Sequence, residues 1–180
     1  MKTSLSFIGF MGSGKTNVGR KVSFFLKIPF LDLDEYIEKK LETSIYKIFE
    51  EKGEEYFRSL ETIALKEIFS LFPEVVLSTG GGIVLKEENR KILKERSKVI
   101  YLKGSFENLM RNLEKEEESR KRPLLKKSRE ELLNIWKSRL PLYEECADII
   151  LSVDNKNIDE ITHEVIERLK NDKSISLKWS

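Results

Sequence analysis

The octapeptide Gly9-Phe10-Met11-Gly12-Ser13-Gly14-Lys15-Thr16 constrains this chain more than any other segment. It lies between the apolar run Leu5-Ser6-Phe7-Ile8 and a helical pattern that opens near Gly14. The spacing is that of a phosphate-binding P-loop, in the strand-to-helix context that the motif requires. Its glycines let the backbone curl until successive N–H groups face one anion. The N-terminus of the following helix adds partial positive charge. Lys15 then meets the β- and γ-phosphates as a point charge, and the Thr16 hydroxyl is a ligand for Mg²⁺. Gly12, Ser13, Gly14, Lys15, Thr16 and Asn17 are therefore the expected contacts to a nucleoside triphosphate. A glycine-rich turn that binds nothing has no need of Lys15-Thr16. The motif says nothing about the phosphoryl acceptor.

A strand feeding such a loop implies a parallel α/β sheet, and the rest of the chain alternates accordingly. The first strand is Leu5 to Ile8, followed by a helix to about Leu26 with Val18, Val22 and Phe25 on one face. Ile28-Pro29-Phe30-Leu31 is a brief second strand ending in Asp32-Leu33-Asp34. Helices are expected over Glu35 to Leu41 and Ile45 to Glu51. A longer one after Gly53 carries Phe57, Leu60, Ala64, Ile68 and Leu71 at helical spacing. Val75 to Ser78 is the third strand and Val99 to Leu102 the fourth, with a helix from Glu87 to about Glu95 between them. A helix from Phe106 to Leu113 gives way to a charge run over Glu114 to Lys127. Helix resumes from about Arg129 to Arg139 and is broken by Pro141. Ile149 to Leu151 is the fifth strand, and a helix from Ile158 to Leu169 buries Ile161 and Val165. The polar tail after Asn171 is expected to fray.

Composition narrows the class. At 180 residues the chain suits one domain with a proper core, and Lys+Arg 33 against Asp+Glu 31 leaves no basic excess for a nucleic-acid partner. The one cysteine builds neither a disulfide framework nor a zinc site. With Leu5 following so closely on Met1, there is no room for a signal peptide. No apolar run reaches bilayer length. A cytoplasmic protein with no membrane partner is the expectation.

The acceptor must be read from the ends of the other strands, where ligands of open α/β sheets bind. If Asp32-Leu33-Asp34 stays extended, both carboxylates share a face. One would hold water on Mg²⁺ while the other takes a hydroxyl proton; equally, the pair would cap the next helix. Arg58 lies beside an apolar stripe with Glu61 at i+3 to orient it, or the two form an ordinary surface pair. Gly80-Gly81-Gly82 suggests either backbone close to a ligand or a tight turn.

These segments, with Arg122-Pro123-Leu124-Leu125 and Arg139-Leu140-Pro141-Leu142-Tyr143, stand in the order found in shikimate kinases. The chain resembles that family from Leu5 to about Leu169. The resemblance implies a three-layer α/β/α sandwich with a five-stranded parallel sheet, nucleoside-monophosphate-kinase-like. It also implies one domain over residues 1–180, with a substrate-binding helical region at about 33–61 and a mobile lid at about 114–127. The implied reaction is phosphorylation of the 3-hydroxyl of shikimate by ATP with Mg²⁺, a step towards chorismate and the aromatic amino acids. By family pattern Asp34, Arg58, Arg139 and Gly80, Gly81 and Gly82 bind shikimate, and Asp34 is the candidate base. Asp32 joins Thr16 at the metal, Arg122 comes from the lid to the phosphates, and Lys156 lies against the adenine. Arg120 would share the lid role or touch the adenine. A monomer is expected. Physically, two guanidinium forks suit a carboxylate, and a carboxylate suits the substrate's hydroxyls.

Asn17 replaces a hydroxyl residue common in the family, altering an α-phosphate contact, and Glu42 stands where a glycine is common. His163 reads as a surface residue, Cys146 as a small buried hydrophobe, and Trp136 as core or site wall. A kinase for another hydroxy acid such as gluconate should lack the set Arg58, Gly81 and Arg139. A non-catalytic ATP-binding module should have lost Lys15, Asp34 or Arg122.

Overall fold

The computed structural model of the chain describes residues 2–116 and 123–177. Its strands are β1 (Leu5–Ile8), β2 (Phe30–Asp32), β3 (Val76–Ser78), β4 (Lys98–Lys103) and β5 (Ile149–Ser152). They form one five-stranded sheet in the order β2-β3-β1-β4-β5, every neighbouring pair parallel. Parallel neighbours need crossover helices, and these cover both faces.

Side-chain alternation divides the core in two. In β4, Ile100 and Leu102 face α1 (Lys15–Leu26) and α8 (Ile158–Lys170), joining Leu5, Phe7, Val18, Val22, Val76 and Val165. Val99 and Tyr101 face the other way, joining Ile8, Leu33, Leu65, Leu77, Leu93 and Tyr143. These come from α2 (Leu33–Leu41), α4 (Glu54–Leu71), α5 (Glu87–Arg96) and α7 (Arg129–Cys146), with α3 (Ile45–Lys52) and α6 (Phe106–Lys115) completing the set. The result is the expected α/β/α sandwich. Each fully buried Leu, Ile or Phe contributes about 1.5–3 kcal/mol relative to exposure. Among the described residues no helix is long and apolar enough to cross a membrane.

Strand order decides what meets at the site. With β1 central, the P-loop leaves the middle of the sheet. In register, Phe7 pairs with Ser78 and Ser78 with Asp32, so the ends of β1, β3 and β2 lie side by side.

Several expectations are corrected. The second strand runs over Phe30–Asp32 rather than from Ile28. Pro29 has no N–H to give the ladder and contributes only its carbonyl, which accepts from the Val76 amide at 2.8 Å. Pro141 does not end α7, which continues to Cys146. Both Pro141 and Lys137, whose carbonyl loses its partner, are exposed, so water can solvate that carbonyl. Beyond Pro141, Tyr143 and Cys146 are fully buried, and their packing outweighs the proline. In α1 the stripe is Val18, Val22 and Leu26, with Phe25 at 38% exposure; Leu71 of α4 is likewise exposed. The tail does not fray as far as Leu177. Asp172 pairs with Lys98 at 2.6 Å, the Ser176 amide donates to the Lys2 carbonyl at 3.0 Å, and Ile175 is buried. Chiefly through the Lys98 hydrogen bond, the Asp172 carboxyl is held down at about 2.

Candidate active site

At the carboxyl ends of β1, β2 and β3 the structure opens into a cleft of about 830 Å³. Its floor is the P-loop. Gly12 takes φ 82°, open to glycine without strain, and a Cβ there would lie 2.6 Å from the Leu109 carbonyl oxygen. The loop is thus pressed against α6, where Asn112 Nδ2 donates to the Gly12 carbonyl at 2.9 Å. Lys15 opens α1 and its Nζ donates to the carbonyls of Gly9 and Phe10 at 2.8 and 3.0 Å. Ser13 is buried, while Gly12, Gly14, Lys15, Thr16 and Asn17 line the cleft.

Asp32 caps the next helix with one oxygen and turns the other towards Thr16 in the cleft. Its Oδ1 accepts the amides of Asp34 and Glu35 at 3.0 and 3.1 Å, starting α2. Its Oδ2 accepts from the Thr16 hydroxyl at 2.8 Å, and Ser78 Oγ lies 3.2 Å from that hydroxyl. The segment therefore does not stay extended as expected; the helix begins at Leu33, and Asp34 reaches the cleft from its first turn. Thr16, Asp32 and Ser78 offer hard oxygens with one carboxylate. This suits Mg²⁺, which keeps several waters and shares phosphate oxygens. No group of three or more acidic, His or Cys side chains among the described residues would hold a metal alone.

Asp34 is strongly perturbed. Burial above all, then the charges of Asp32 and Glu61, push its carboxyl up to about 7 against the pull of Lys15. Its Oδ1 is buried without a hydrogen-bond partner, as is Oε1 of Glu61. Both oxygens flank Gly80, where a Cβ would lie 3.1 Å from the first and 3.0 Å from the second.

Two guanidinium groups face this pair. Arg58 Nη1 donates to Glu61 Oε2 at 2.7 Å and Nη2 to Glu54 Oε1 at 3.2 Å. Glu61 is fully buried, so the link is no surface pair. Burial pushes the Glu61 carboxyl upward against the opposing pull of Arg58. A Cβ on Gly82 would run into the Arg58 guanidinium, which explains the last glycine of the triplet by close approach rather than by φ. Arg139, only 4% exposed, enters from α7 with its Cζ 5.8 Å from the centre of the Phe10 ring. Tyr143, one turn on, donates from its hydroxyl to the Gly81 carbonyl at 2.6 Å.

Other expectations land elsewhere. Lys156 is held by Glu164 at 2.6 Å and the Ser152 carbonyl at 3.0 Å, and does not line the cleft. Arg122 and Arg120 lie outside the described residues, as does part of the lid segment, although Pro123, Leu124 and Leu125 border the cleft. Cys146 is buried and unpaired, its thiol pushed up to about 11 by burial, and His163 is exposed. Trp136 packs on Phe106, ring centres 5.8 Å apart. Sequence reasoning missed Asn112 and Tyr143. The first has a sequence signal, a polar residue inside the stripe Leu109, Leu113. The second stood in the Arg139–Tyr143 motif, but with Pro141 taken as a helix end nothing placed it on one face with Arg139.

A family model for shikimate kinase matches residues 11–170. The shikimate kinase of Dictyoglomus turgidum is 72% identical over 172 residues, spanning 96% of this chain and all of that protein. That of Enterococcus faecalis is 40% identical over 167 residues, spanning 93% and 98%. Among solved structures, the Acinetobacter baumannii shikimate kinase in complex with shikimate superposes with a TM-score of 0.88 at 33% identity, covering 96% of each chain. The Aquifex aeolicus shikimate kinase gives 0.77 at 37% identity, covering 93% of this chain and 96% of its own. With a family model matched over residues 11–170 and a relative 72% identical over 96% of its length, this chain belongs to the shikimate kinase family.

Proposed function

We propose that this cleft transfers the γ-phosphoryl group of ATP to the 3-hydroxyl of shikimate, with each half of the pocket serving one substrate. The observation that carries the reading is Asp34. Its orphaned oxygen lies between a P-loop and two acid-binding guanidinium groups.

Backbone N–H groups of Gly12 to Asn17 and the Lys15 ammonium hold the triphosphate. Thr16 and Asp32 hold Mg²⁺, which neutralises charge on the phosphate oxygens when bound. On the acceptor side, Arg58 and Arg139 grip the carboxylate of shikimate as charge-assisted forks. The backbone of Gly80, Gly81 and Gly82 lets the ring approach, and Asp34 accepts from the reacting hydroxyl. That hydroxyl oxygen bonds to the γ-phosphorus as the bond to the ADP oxygen breaks, and its proton passes to the Asp34 carboxylate. Transfer is mostly positioning and charge neutralisation, and Arg122 adds a further positive charge at the phosphates. The chain works as a cytoplasmic monomer.

The test is ADP release by the purified protein with Mg-ATP and shikimate, gluconate or no acceptor. Release that depends on shikimate supports the reading, and equal rates in all three overturn it.

A further inference from the structure

The motif Arg139-Leu140-Pro141-Leu142-Tyr143 contains one residue that the reaction above leaves without a task. Tyr143 follows Arg139 by four positions, so both project from one face of α7. This holds only because the helix continues through Pro141. The tyrosine is fully buried, its ring stacked on Tyr101 with centres 5.0 Å apart. Stacking fixes the ring and therefore the direction of its hydroxyl. That hydroxyl donates to the Gly81 carbonyl at 2.6 Å, and Nη1 of Arg139 lies 3.5 Å from where a Cβ on Gly81 would stand. Gly81 thus has the tyrosine hydroxyl and one of the two guanidinium groups as direct neighbours.

We propose that Tyr143 is a positioning residue for the shikimate half of the cleft: its hydroxyl, bonded to the Gly81 carbonyl, holds that backbone and Arg139 in the relative placement the substrate requires. The chemistry favours this over plain core packing. A ring that only filled space would serve as well without the oxygen, and an apolar phenyl would avoid burying a polar atom. Here the polar atom is matched by a carbonyl and feels the charge of a neighbouring cation, and both neighbours border the cleft. The position of the carboxylate-binding fork then depends on the glycine segment, and the reverse. Tyr143 itself is not among the residues lining the cleft, so it acts through its two neighbours.

The proposal rests on the assignment of Arg139 to shikimate, and the experiment separates the two. Tyr143→Phe deletes the hydroxyl and keeps the ring. Steady-state kinetics, run below the thermal transition of each variant, should show the KM for shikimate raised about ten-fold. The KM for ATP should stay within two-fold, as should kcat. Tyr101→Phe, which removes the neighbouring hydroxyl, should leave all three near wild type. Arg139→Lys tests the underlying assignment, because an unchanged shikimate KM in that variant would remove Arg139 from the substrate site. In the double variant the two losses should be clearly less than additive, since both pass through one guanidinium. The proposal is overturned if Tyr143→Phe keeps a wild-type shikimate KM while Arg139→Lys is impaired. It is also overturned if the two effects add, if both KM values rise together, or if Tyr143→Phe has no cooperative thermal transition, because the hydroxyl would then serve the fold and not the site.

Discussion

At the scale of single residues, Asp34 concentrates the chemistry. Its folded-state value of about 7 lies above the 3.8 of the exposed side chain, chiefly because burial disfavours the charge. The ionised form is the one that accepts a proton, so kcat/KM for shikimate should rise with pH through about 7; a profile flat from pH 5 to 9 would remove Asp34 as the base. Stability runs the other way. The folded protein holds this proton more tightly than the unfolded chain, so the contribution of the neutral form is lost as pH climbs through about 7. Asp34→Asn should therefore melt a few degrees higher than wild type at pH 8 while turning over at least about 100-fold more slowly. Its binding of ATP, followed by calorimetry, should be largely spared. Arg58→Ala should abolish shikimate-dependent turnover and also destabilise, because it strands the buried Glu61 carboxylate. Adding Glu61→Leu should recover much of the melting temperature and none of the turnover, which separates the arginine's two roles.

Elements carry a different set of consequences. α7 delivers Arg139 and Tyr143, and its start is secured by a capping box. Ser128 Oγ accepts the Glu131 amide at 3.2 Å, and the Glu131 carboxylate accepts the Ser128 amide at 2.7 Å. Ser128→Ala should cost about 1 kcal/mol, a drop of roughly 2–4 °C in melting temperature for a chain of this size. The shikimate KM should change little, since the cap is far along the helix from Arg139. α6 bears on the other half of the site through Asn112 and the Gly12 carbonyl. Asn112→Ala leaves a P-loop carbonyl short of a partner, and its effect should fall on the KM for ATP and not on that for shikimate. Binding kinetics with each substrate in turn would check that division.

For the whole molecule, the near balance of 33 basic and 31 acidic side chains is spread over many surface pairs. Lys91–Glu87, Lys47–Glu51 and Arg129–Glu107 join groups that are all more than half exposed. Such pairs contribute little each and are screened by salt. Raising NaCl from about 0.1 M to about 0.5 M should move the melting temperature by less than about 3 °C, measured by circular dichroism. A much larger loss would mean that these pairs act as a network. Stability instead resides in the two apolar layers on either side of the sheet.

What the amino-acid sequence determined by itself was everything whose physics is local. Glycines at fixed offsets, Lys15 and Thr16 make a phosphate cradle wherever a strand meets a helix, and short apolar runs at β1, β3 and β4 separated by helices make a buried parallel sheet. The order of the later motifs sufficed for the family. Tertiary structure decided what depends on distant neighbours. Strand order brought Asp32 and Ser78 to Thr16 across the sheet, and Asp32 could cap a helix and also meet Thr16 because its two oxygens point apart. Burial turned Arg58 and Glu61 from a helical pair into a desolvated one. The packing of Tyr143 and Cys146 carried α7 through Pro141, against the local cost of a proline. Local propensities amount to a few kcal/mol at most, and the burial of two or three large side chains exceeds them. For that reason the P-loop could be read from eight consecutive residues, whereas how Asp34, Arg58, Glu61 and Arg139 meet in one cleft required the folded chain.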